Sequence, residues 1–274
     1  MRVAAVTWEL RKISREGEFF DHLIEVLQSC AELGAAVAVL PEFFSFELLS
    51  ANSQVDESEV ASMMSPHWNA IVGALSEGAS RHQMTIVGGS HIVGKINRCP
   101  IVTPSGETFF VDKHVLTQYE HSPLGLLPGD SCRVHQELGA CDCYDCEFPA
   151  GAKAIAEAGA KILAVPAFTE TGHGFHRVRR CCEARATENQ MFVVHSSLVG
   201  SIGFEPIPNA TGSSAILAPC IEPFPENGVL AETPFNQESV AIADLDLGLI
   251  DEVRTTGDVR NWQDRDAATW SPTR

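Results

Sequence analysis

Short apolar runs alternate along this chain with longer stretches in which apolar positions recur at helical spacing. Val3–Trp8 reads as a strand. It is followed by a helix over Phe19–Leu33, with Phe20, Leu23, Ile24 and Leu27 at helical spacing. Ala36–Leu40 is a second buried strand, ended by Pro41, and a helix is predicted from about Pro66 to Arg81. Met84–Ser90 reads as a strand. Ile101–Thr103 and Thr108–Val111 flank a hairpin turn at Pro104-Ser105-Gly106-Glu107. Leu138–Cys143 leads from a strand into a helix within Phe148–Ala158. Lys161–Val165, the helix Phe175–Gln190, then Met191–Leu198, Ser213–Ala218 and Val240–Asp244 complete the set. Alternating strands and helices predict an α/β fold with buried strands, and the hairpin makes part of the sheet antiparallel. No Gly/Ser-rich or Pro-rich linker divides the chain. The reading is therefore one domain over 1–274, with a polar, irregular tail from about residue 252.

The 274 residues are enough for a large core, and 45% hydrophobic with 20% charged residues is ordinary for a globular protein. A net charge of −17 changes the picture more. It argues against nucleic acid and against anionic membrane surfaces as partners. The first apolar run is too short for a signal peptide, and no stretch reads as a membrane span, so the expected location is cytoplasmic. With no export signal, the nine cysteines read as core residues, metal ligands or nucleophiles rather than as a disulfide framework.

Three segments place a reactive side chain just after a strand, where sites gather in α/β sheets. Glu42 follows Ala38–Leu40 and is flanked by Pro41, Phe43 and Phe44; apolar neighbours raise a carboxyl pKa and suit it to general-base work. Lys113 follows Phe110-Val111-Asp112. Cys143 lies in Cys141-Asp142-Cys143-Tyr144-Asp145-Cys146, between a strand and a helix that could start near Pro149. Such a turn exposes a nucleophile, aims backbone N–H groups at an oxyanion and favours the thiolate. Taken singly, each has an ordinary reading: a strand-end glutamate in solvent, an exposed lysine, a buried inert cysteine.

Together, LPEFF, DKHVL and CYDCEFP, in that order, resemble the glutamate, lysine and cysteine motifs of the nitrilase, or carbon–nitrogen hydrolase, superfamily. Lys113 stands 71 positions after Glu42, and Cys143 stands 30 after Lys113. LPGD at Leu127–Asp130, AGAKILAVPAFT, the Arg185-Ala186-Thr187-Glu188-Asn189 stretch and TGSSAILAP extend the similarity from Val3 to about Asp264.

The resemblance implies a four-layer α-β-β-α sandwich, a homodimer or larger assembly, and hydrolysis of a small-molecule amide without metal or cofactor. Cys143 would be the nucleophile, Glu42 the base, and Lys113 with the Tyr144 backbone N–H the oxyanion donors. Glu120 would be a fourth member, holding Lys113 or the substrate amine. Phe43, Thr169, Glu170, His173 and His176 would line the pocket. Arg185 and Glu188 read as a structural ion pair, and Arg177, Arg179 and Arg180 as a solvated helix face.

Tyr144-Asp145 after the cysteine argues against a true nitrilase, usually Trp-Glu there, and against an amino-acid carbamoylase, usually arginine there. A simple amidase is favoured, with nitrilase or N-carbamoyl hydrolase as alternatives. A reading from a different class is a zinc-binding or redox-sensing module built on Cys132, His135, Cys141, Cys143 and Cys146. Asp142 departs from the family, whose residue before the nucleophile is usually apolar.

Overall fold

The computed structural model describes residues 1–267 and 272. The strands are β1 (Arg2–Leu10), β2 (Val37–Val39), β3 (Thr85–Val87), β4 (His91–Val93), β5 (Ile96–Val102), β6 (Thr108–Asp112), β7 (Leu138–Ala140), β8 (Ile162–Ala167), β9 (Phe192–Gly200), β10 (Ala215–Leu217), β11 (Val229–Glu232) and β12 (Ser239–Asp244). The helices are α1 (Glu16–Glu32), α2 (Val60–Met64), α3 (Trp68–His82), α4 (Gln118–His121), α5 (Pro149–Glu157), α6 (Gly172–Asn189), α7 (Leu247–Thr256) and α8 (Asn261–Asp264).

One half of the sheet pairs β12, β1, β2, β3 and β5 in that order, with β4 and β6 beside β5. The other half runs β7, β8, β9, β10, β11. They join where β1 pairs parallel with β9, Trp8 opposite Leu198, so one sheet curls over on itself. The expected mixture of parallel and antiparallel pairing is present: β1–β2–β3 and β7–β8–β9 are parallel, and the β5–β6 hairpin is antiparallel.

The strands alternate between two cores, which explains why they are apolar on both faces. Val3, Ala5, Val37 and Val39 face Ile162, Ala164, Phe192 and Val194 across the middle of the sandwich. Their neighbours Ala4, Val6, Trp8 and Ala38 turn outward onto Phe19, Leu23 and Leu27 of α1 and Ile71 and Leu75 of α3. On the far side, Leu163, Val165 and Val193 pack on Ile155 of α5 and on Val178 and Cys182 of α6. Helices, sheet, sheet and helices make the four layers that the resemblance implies.

Several boundaries differ from the sequence reading. The stretch between β2 and α2, for which the sequence predicts no element, contains 3₁₀ turns at Phe44–Ala51 and Glu57–Glu59. The tail is not irregular from residue 252. α7 continues to Thr256 because Ile250 and Val253, one helical turn apart, are both buried. Beyond it, Trp262 of α8 stacks between the guanidinium groups of Arg254 and Arg265, at 3.9 and 4.1 Å. Arg254 also donates to the carbonyls of Asn189 and Gln190 at the end of α6, at 3.0 Å each. Residues 268–271 and 273–274 of the expected tail lie outside the described residues.

Candidate active site

The carboxyl ends of β2, β6, β7 and β8 open toward one cavity of about 250 Å³. Glu42, Lys113, Cys143 and Glu120 all line it, and all four are buried. Tyr144, Phe43, Thr169 and Glu170 line it too.

Lys113 follows β6 and reaches inward between two carboxylates. Its ammonium lies 2.7 Å from Glu42 Oε1 and 2.7 Å from Glu120 Oε2. The Lys113 backbone is fixed from both sides: its N–H donates to the Asn97 carbonyl (2.9 Å) and its carbonyl accepts from Gly129 N–H (2.9 Å). A side chain at Gly129 would collide with Asp112, so the Pro-Gly-Asp turn needs glycine there.

Glu42 lies beyond the end of β2. Its Oε1 also accepts from Asn97 Nδ2 (3.1 Å), and its Oε2 accepts from Phe168 N–H (3.1 Å). Phe43, the next residue, is left-handed at φ 56°, which turns the chain sharply out of the site. Glu120 sits at the third position of α4 and closes a capping box with Thr117. Its Oε1 accepts from Asn97 Nδ2 at 3.0 Å. The Asn97 amide thus ties the two carboxylates together, a link that an uncharged residue inside a strand gives no sequence signal for.

Cys143 opens a short 3₁₀ turn, Cys143–Glu147, at φ 36°. That turn is pinned from outside. Asp145 accepts from the backbone N–H groups of His114 (3.0 Å) and Val115 (2.7 Å), joining it to the Lys113 loop. Arg185 donates to the carbonyls of Cys146 (2.9 Å) and Glu147 (3.3 Å). The expected ion pair of Arg185 with Glu188 is present, so this arginine both pairs along its helix and holds the cysteine turn. Tyr144 N–H lies in the first turn, where a helical N–H lacks an intrahelical acceptor.

Charges in the site are coupled. Burial raises the pKa of Glu42, Lys113 counters in part, and Glu120 adds to the rise. Burial alone would raise Glu120 too, but Lys113 and its hydrogen bonds hold it below the ordinary range. Burial works against the ammonium of Lys113, yet Glu120 and Glu42 push it well above the usual lysine range. The Cys143 thiol is also pushed well up, by burial first and by Glu42, against Lys113. The sequence expectation that the turn favours a resting thiolate is therefore reversed. Burial and the charge of Glu42 both work against the thiolate, and the Cys143 Sγ lies 3.3 Å from the Phe168 carbonyl.

Two expected pocket residues are misplaced. His173 and His176 are exposed on α6 and do not line the cavity; Thr171, Gly174 and Arg177 do. Positions 171, 174 and 177 share one face at helical spacing, and 173, 176 and 180 fall on another. Arg177, expected on a solvated face, lines the cavity mouth and donates through Nε to Glu147 at 2.8 Å. Arg179 is buried and held by the Ser213 carbonyl (3.0 Å) and by Glu232 (2.9 Å). Arg177 and Arg180 are exposed, as expected, and only Arg179 of the three is buried. Phe46, Tyr119, Leu124, Phe168 and Pro206 complete the apolar lining; of these only Phe168 falls in a stretch singled out in the sequence.

All nine cysteines are free thiols. Among the described residues, no group of three or more His, Cys, Asp or Glu is placed to hold a metal ion. Likewise, no described helix is long and apolar enough to cross a membrane.

Residues 2–255 match the carbon-nitrogen hydrolase family. With the curled four-layer sheet and the Glu–Lys–Cys cavity, this defines the class, and the chain belongs to that family. A probable hydrolase of Bacillus subtilis (strain 168), YhcX, is 31% identical over 97% of this chain, which spans 53% of that relative. The chloroplastic omega-amidase of Arabidopsis thaliana is 28% identical over 86% of this chain and 65% of its own length. Among solved structures, the NitN amidase from Neterenkonia sp. AN1 superimposes with a TM-score of 0.76 at 20% identity, covering 97% of each chain. Saccharomyces cerevisiae Nit3, of the nitrilase superfamily, gives 0.75 at 21% identity over 93% of each.

Proposed function

We propose that this chain hydrolyses the carbon–nitrogen bond of a small linear amide through a thioester on Cys143. One observation carries the reading: a buried thiol, a buried carboxylate and a buried ammonium converge on one small cavity, with the ammonium 2.7 Å from the carboxylate. Relatives named as amidases and an omega-amidase support the reaction class.

Glu42 takes the proton of Cys143 as sulfur attacks the amide carbonyl. The oxyanion is met by the ammonium of Lys113 and the N–H of Tyr144. Glu42 returns the proton to nitrogen, the C–N bond breaks, and ammonia or an amine leaves. Glu42 then takes a proton from water, whose oxygen attacks the thioester. The C–S bond breaks, and the thiol regains its proton through Glu42. One oxyanion donor is typically worth about 3–4 kcal/mol and a positioned base about 10²–10⁴-fold in rate. Glu120 positions Lys113 and balances its charge.

The test is an ammonia-release screen over aliphatic amides, ω-amides, carbamoyl compounds and nitriles, run beside Cys143→Ala. Turnover confined to amides and lost in the variant supports the proposal. Turnover of nitriles or carbamoyl compounds alone would move it to another branch.

A further inference from the structure

Asp142, directly before Cys143, is 0% exposed, and neither of its carboxyl oxygens has a hydrogen-bond partner among the described residues. The groups that face it are mostly acidic. Glu42 after β2, Glu120 in α4 and Asp145 on its own turn carry carboxyls, Cys99 of β5 and the adjacent Cys141 carry thiols, and among the described residues whose charge acts on it most strongly Lys113 is the one cation. That ammonium is already engaged by Glu42 and Glu120, each at 2.7 Å. A buried carboxylate without a donor or a counter-ion is among the costliest states a protein can hold, and such a group keeps its proton instead.

We propose that Asp142 is carried as the neutral acid and is a positioning residue acting through Glu42: by keeping the extra proton, it leaves Glu42 ionised and Lys113 shared between two carboxylates only. Where two neighbouring carboxyls cannot both ionise, the one with fewer donors retains the proton. Glu42 has three donors, from Lys113, Asn97 and Phe168, whereas Asp142 has none among the described residues. Burial followed by the charge of Glu42 holds the Asp142 carboxyl well above the ordinary carboxylate range, in the same direction. The role assigned to Asp142 rests on Glu42 being the base, but its protonation does not.

Urea unfolding of wild type and Asp142→Asn, compared from pH 5 to 8, tests the protonation. An acid that keeps its proton when folded and loses it when unfolded costs stability as pH rises above its unfolded value. The ratio of folding constants, variant over wild type, is expected to rise about tenfold per pH unit. A flat or falling ratio would overturn the proposal. If the variant does not fold, carbon-13 NMR of wild type labelled at aspartate carboxyls decides: one resonance is expected to stay at the protonated position through pH 7, and finding none overturns it. The link to Glu42 is read from the pH dependence of Cys143 alkylation by iodoacetamide, with Cys143→Ala as background. A neutral Asp142 leaves the acid midpoint in the same place in Asp142→Asn. An ionised one would be exposed by a lower midpoint in the variant. None of these readouts needs a substrate, so a failed ammonia screen would sink the amidase reading and leave them standing.

Discussion

Lys113 and Glu42 stand 71 positions apart in the chain and 2.7 Å apart in space. The pair is buried and extends to Glu120, so its cation balances two carboxylates at once. Lys113→Met would leave two buried carboxylates without their counter-ion. The expected result is a stability loss of about 3–5 kcal/mol by urea unfolding. Turnover should fall at least on the order of 10²-fold, because an oxyanion donor goes too. Turnover within a few-fold of wild type would remove Lys113 from the reaction.

Glu42 must be ionised to accept the thiol proton, and its pKa is raised above the ordinary 4.5, mainly by burial. Activity should therefore fall as pH drops, with a midpoint above 4.5, since protonation abolishes the base. Asn97→Ala removes a donor that stabilises the charged form of Glu42. Its kcat/KM profile should show the acid midpoint moved further up, whereas an unmoved midpoint would deny Asn97 a role in tuning the base.

Arg177 meets the cavity mouth while His173 and His176 point elsewhere. Arg177→Ala is expected to raise KM several-fold with a smaller change in kcat. His173→Ala and His176→Ala should keep KM within about twofold, as surface substitutions usually do. The reverse pattern in steady-state kinetics would place the pocket wall on the other helix face.

Gly129 gives its N–H to the Lys113 carbonyl and has Asp112 packed against its α-carbon. Gly129→Ala should cost about 1–3 kcal/mol of stability, in the range of overpacking changes, with a drop in kcat as Lys113 shifts. Calorimetry and single-turnover rates on the same preparation would separate the two effects.

The chemistry was legible in the sequence where a reactive residue follows an apolar strand. Glu42, Lys113 and Cys143 stand at strand ends, and strand ends can be read from apolar runs. Glu120 was found through its distance from Lys113 in a familiar order, and its capping box with Thr117 gives it a local cause as well. Asn97 escaped because its contribution is made by one amide reaching two carboxylates that are 55 and 23 positions away. His173 and His176 follow β8 closely in the chain, but the helical phase of α6 turns them away from the cavity. That same phase brings Gly174 and Arg177 to the cavity. The α7–α8 segment looked irregular because its anchors, Ile250, Val253 and Trp262, are sparse among polar residues and are completed by Arg254 and Arg265. The thiol's high pKa was not visible because it depends on burial and on a carboxylate from another part of the chain.

The most direct test of the central claim is intact-mass analysis of the enzyme quenched in acid during turnover of an amide found active in the screen. A thioester adds the acyl mass to a single site. The adduct is expected on the peptide containing Cys143 and is expected to be absent in Cys143→Ala. Turnover with no acyl adduct on Cys143 and undiminished rate in Cys143→Ala would contradict the account.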